Sequence, residues 1–149
     1  MKKAIIIISL LMTVMIVMAG CGSQEQASTA SSRLTEGDNT AMATVDLSGG
    51  WSVEFASGAI YMYEGPNDGK TDCTAMAVTL EKEVYDEYIE NNKDNETYAE
   101  NDGVISYTDP DNGETNFLFE TEKGMHIMLA VNEGTDADAV LAKLTLVDE

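Results

Sequence analysis

The stretch that decides the fold is VISYTDPDNGETNFLFETEKGMHIMLAV, residues 104–131. It holds three apolar runs, 104–108, 114–122 and 125–131, separated by Asp109-Pro110-Asp111-Asn112-Gly113 and by Lys123-Gly124. Pro, Asn, Asp and Gly supply the dihedrals that turns require, so the segment reads as a three-strand antiparallel meander. If Lys123-Gly124 forms a tight two-residue loop, Phe117, Phe119, Met128 and Ala130 share one face with Ile105. Leu118, Ile127 and Leu129 then share the other face with Val104, and His126 lies opposite Thr121. Apolar residues on both faces mark central strands covered on each side.

Working outward, Ser57-Gly58 separates 51–56 from 59–64, the pattern of a two-residue hairpin loop. That register pairs Phe55 with Ile60 and Val53 with Met62 on one face. Glu54 pairs with Tyr61 and Ser52 with Tyr63 on the other. Another strand is expected from about 71 to 80, which would bury Cys73 in an alternating apolar segment. Leu80, Val84, Tyr85, Tyr88 and Ile89 recur at helical spacing, predicting a helix over about 81–92. Thr135-Asp136-Ala137-Asp138 has the form of a cap, opening a short helix over about 136–144. The expected fold class is α+β, an antiparallel sheet of about six strands with these two helices.

The N-terminus carries a different signal. Lys2 and Lys3 precede an apolar run from Ala4 to Met18, broken by Ser9 and Thr13, and Ala19-Gly20 leads into Cys21. A basic start, an apolar stretch and small residues make an export signal. An uncleaved membrane anchor is the alternative, because about 17 apolar residues are at the lower limit for a span. At Met18-Ala19-Gly20-Cys21 the chain resembles the lipobox of bacterial lipoproteins, with Met18 where Leu is commonest. The resemblance implies a signal peptide over 1–20 and a lipid, diacylglycerol with palmitate-type chains, on Cys21. It also implies a domain on the outer side of a cell membrane or outer membrane. Residues 21–45 are rich in Ser, Thr, Ala, Gln and Gly with few large apolar side chains, and read as a lipidated flexible tether. The domain is then 46–149. Its order of elements also loosely resembles small exported domains of the PsbP-like kind.

Charge narrows the partners. Twenty-seven acids oppose eight Lys and Arg, for a net charge of −19. Nucleic acid is excluded as a partner, since nothing here forms a basic footprint. Anionic lipid would repel the domain, so membrane attachment falls to the lipid on Cys21. The catalytic inventory is thin. His126 is the one histidine, and no serine or cysteine is placed beside it. Zinc lacks ligands, and residues 109–114 put glycine one place early for a calcium loop, so no cofactor or metal is expected. Tyr61 and Tyr63 are the candidate recognition surface, unless another element covers them. The expected function is a non-catalytic, lipid-anchored envelope module that binds a protein or small ligand. The alternatives are a small carboxylate-dependent envelope hydrolase and an accessory or chaperone-like subunit of an envelope complex.

Overall fold

A computed structural model describes residues 28–67 and 72–149. The expected signal peptide and Cys21 lie outside the described residues. The fold is α+β and mainly antiparallel, with ten strands among the described residues in place of about six. Strands β1 (Thr29–Glu36), β2 (Asn39–Asp46) and β10 (Leu144–Asp148) form a small sheet with β2 in the centre. The large sheet takes β3 (Ser52–Ala56), β4 (Ala59–Tyr63), β5 (Ala75–Leu80), β6 (Ala99–Asn101), β7 (Val104–Thr108), β8 (Thr115–Glu120) and β9 (His126–Val131). Their order is β3-β4-β5-β9-β8-β7-β6. Helix α1 spans Lys82–Asn92 and α2 spans Ala137–Leu141.

The expected tether is largely strand. Residues 29–46 form a hairpin that buries Leu34, Ala41, Ala43 and Val45. A boundary at 45/46 therefore falls inside β2. Low apolar content is misleading here because alternation puts every apolar residue of β2 except Met42 on one face. Small Ala side chains suffice there, since the facing sheet supplies Ile127, Leu129 and Val131.

The first hairpin forms as its turn requires. Ser57 and Gly58 both take positive φ, 53° and 77°, the demand of a type I′ turn, and Phe55 pairs with Ile60 and Glu54 with Tyr61. The last hairpin does not take the tight register. Glu120 pairs with His126 and Phe119 with Ile127, because Glu122-Lys123-Gly124 is a three-residue loop. The Thr121 amide donates to Met125 O at 2.9 Å, and Gly124 takes φ 88° to close the loop. One added loop residue moves β9 by one place and exchanges its faces. Val104, Phe117, Phe119, Ile127 and Leu129 face the small sheet, while Ile105, Leu118 and Met128 face α1. Both faces are covered, as central strands should be.

Two apolar clusters result. The larger lies between the sheets, and the smaller packs Tyr85, Tyr88 and Ile89 of α1 onto Ile105, Tyr107, Leu118 and Met128. Val84 departs from the expected buried stripe and is exposed. Helix α2 begins where expected, with the Asp136 carboxylate accepting the Ala139 amide at 3.1 Å. It stops at Leu141, and Leu144 belongs to β10, paired with Val45. Edge pairing with β2 satisfies the backbone of 144–148, which a longer helix would leave unpaired with the hairpin.

Candidate functional site

A single cross-strand row carries the site. Tyr61 of β4 pairs with Met76 of β5, Met76 with Ala130 of β9, Ala130 with Asn116 of β8, and Asn116 with Tyr107 of β7. These side chains share the face that α1 covers only in part. A cavity of about 210 Å³ opens between Tyr88 and the row. Its apolar wall is Met76, Met128 and Ala130, flanked by the rings of Tyr88 and Tyr107. Its rim holds Asp109 and Glu114, the two ends of the β7–β8 loop, together with Cys73 and Asn132.

Asn116 is the unusual member. It is 6% exposed at the second position of β8, and its carboxamide makes no hydrogen bond to the described residues. Tyr107 is 4% exposed and its hydroxyl is likewise unpartnered. Both side chains line the cavity. Neither group's polar atoms are sealed from solvent: both open onto the cavity, where a ligand can reach them.

The rim groups are held in place locally. Glu114 accepts from the Asn112 amide group at 2.7 Å, and Asp109 accepts the Asp111 backbone N–H at 2.8 Å. Asn132 donates to Cys73 O at 2.7 Å. None of the lining residues is Lys or Arg. Burial pushes the Tyr107 hydroxyl up to about 12, with Tyr88 and Asp109 adding to it. Burial also pushes the Cys73 thiol up, and the charges of Asp72 and Glu114 push the same way.

Cys73 is half-buried just before β5, and does not lie inside an apolar strand as the alternation suggested. It has no disulfide partner among the described residues. A thiol held protonated is a poor nucleophile. The two expected recognition tyrosines separate. Tyr61 is half-buried in the row described above, whereas Tyr63 is 5% exposed. The chain leaving β4 folds back beside it, with Ser52 Oγ donating to Gly65 O at 2.7 Å. Cys21 lies outside the described residues.

His126 serves the packing of the two sheets. It is 6% exposed, and Glu36 from the β1–β2 turn takes both its backbone N–H, at 2.5 Å, and its Nδ1, at 2.9 Å. Its ring tilts against Tyr85 with centroids 4.8 Å apart. No group of three or more His, Cys, Asp or Glu among the described residues is arranged to hold a metal ion. No helix of the described residues is long and apolar enough to cross a membrane.

Asn116, Tyr107, Met76 and Tyr88 were not singled out from sequence. The available signal was an asparagine at the head of Asn116-Phe117-Leu118-Phe119, a polar residue within a strand whose both faces are covered. No protein-family model, curated protein or solved structure matches this chain.

Proposed function

We propose that the protein is a non-catalytic, lipid-anchored binding module of the cell envelope, and that its ligand enters the cavity beside α1. The observation that carries this reading is Asn116, an unpartnered carboxamide 6% exposed on the cavity wall. A polar group that opens onto a cavity without a protein partner is free to bond a ligand there. Burial pushes the Cys73 thiol up, and His126 lies outside the cavity and bonds Glu36, so no cysteine–histidine pair forms there, which favours binding over turnover. Attachment through Cys21 rests on Met18-Ala19-Gly20-Cys21 and on the basic and apolar segments before it.

Two experiments test the two halves. Growth with labelled palmitate should label the wild-type chain and leave Cys21→Ala unlabelled; continued labelling of the variant refutes the anchor. A ligand-observed NMR screen of small fragments against the full chain in non-ionic detergent should give hits that Asn116→Leu abolishes. A screen whose hits all survive that substitution refutes the cavity as the binding site.

A further inference from the structure

We infer that the cavity beside α1 selects a small organic ammonium ion. This inference rests on the reading of the cavity as a ligand site and adds the chemistry of the ligand. Asp109 and Glu114 stand on the rim, and no cationic side chain lines the cavity to neutralise them. Carboxylates are acceptors only, so the rim seeks donors and positive charge. The chain as a whole carries −19, and a concave acidic surface concentrates cations further.

Acidic residues alone would suit any cation, and the wall decides which kind. Met76, Met128, Tyr88 and Tyr107 offer polarizable and aromatic surface. A hydrated divalent ion gains nothing from such a wall, and it lacks the oxygen cage it needs. An ammonium with an apolar body gains both cation–π attraction and burial. The unpartnered groups then complete the fit. Asn116 offers a donor and an acceptor and Tyr107 a hydroxyl, 6% and 4% exposed, two residues along the chain from Glu114 and Asp109. They suit a hydroxyl or carbonyl on a ligand whose cationic end is held by the acids beside them. Size is bounded too. A cavity of about 210 Å³ admits a small molecule and not a peptide or a sugar chain. Choline is of that size and has that arrangement of groups.

The test uses choline and its uncharged isostere 3,3-dimethylbutan-1-ol, titrated into the full chain in non-ionic detergent with methionine methyls carbon-13 labelled. Met76 and Met128 line the cavity, while Met62 and Met125 lie fully buried in the other cluster and report on folding. Choline should shift the Met76 and Met128 methyls at concentrations about tenfold below the isostere. Asp109→Asn and Glu114→Gln should each weaken choline several-fold with the Met62 and Met125 signals unmoved. Equal binding of the two probes overturns the ammonium selectivity and leaves the cavity as a site for neutral ligands. Shifts that sodium chloride reproduces overturn it as diffuse screening. Silence of both methyls toward choline overturns it outright, and the Asn116-dependent fragment screen then judges the cavity reading separately.

Discussion

Replacing Leu34 by Ala tests whether residues 29–46 belong to the folded unit. Leu34 is 2% exposed on β1 and sits in the cluster between the two sheets. The substitution removes three buried carbons, about 2.4 kcal/mol of transfer free energy at roughly 0.8 each. A cavity term adds to it, limited because the small sheet can settle inward, so the expected loss is about 3 kcal/mol. The neighbouring Arg33 points the other way, with a side chain 63% exposed and an ion pair to Glu149 at 2.6 Å. Arg33→Ala should therefore cost under about 1 kcal/mol. With a slope of about 1.5 kcal/mol per molar urea for a unit of this size, Leu34→Ala lowers the unfolding midpoint by about 2 M. Arg33→Ala moves it by a few tenths. Fluorescence of Trp51, which joins the same cluster, follows the transition. Equal and negligible shifts for both variants would refute the reasoning and return these residues to the role of a spacer.

Glu36→Ala should cost about 2 to 5 kcal/mol, because it strips the acceptor from two donors of a histidine only 6% exposed. Asp38→Ala, an exposed acid in the same turn, serves as the control, and a similar midpoint for both would sink the idea of a staple. Alkali should destabilise the protein. Tyr85 and Tyr107 are raised from 10.0 to about 12 in the fold, chiefly by burial. The folded state thus holds their protons after the unfolded chain has released them, and stability present below pH 10 is lost as pH rises through 12. Urea midpoints measured from pH 8 to 11.5 should drop less in Tyr85→Phe and Tyr107→Phe, and an unchanged slope would contradict the assignment. Asn116→Leu should leave stability within about 1 kcal/mol of the wild type, since the carboxamide it removes opens onto the cavity and holds no protein partner. A midpoint lowered by more than that would mean that Asn116 has a structural partner.

Much of the architecture was legible locally. Ser57-Gly58 announced its hairpin because only a few residues accept two successive positive φ values, and the register followed from the loop length. Helix α1 followed from Tyr85, Tyr88 and Ile89, and α2 from the Asp136 cap. Asp102-Gly103 between β6 and β7 is a signal of the same kind that went unread. The site was less legible. Neither Tyr61 nor Tyr63 lines the cavity, although Tyr61 lies in the same cross-strand row, and Asn116 gained meaning once the sheet order was known.

The sequence by itself determined the turns, the alternation, the helix faces and the charge, because each depends on dihedral preferences and side chains within a few residues of one another. Tertiary structure alone decided which of those strands meet. Glu36 and His126 are 90 residues apart, and β2 finds its second partner in β10 at the far end of the chain. Whether a weakly apolar strand folds depends on the surface it can bury against, and that surface is contributed from elsewhere. The register of the last hairpin turned on one loop residue, which local preferences leave nearly balanced and packing on both faces resolves. The cavity has the same origin, since its wall is drawn from non-adjacent segments brought side by side in the sheet.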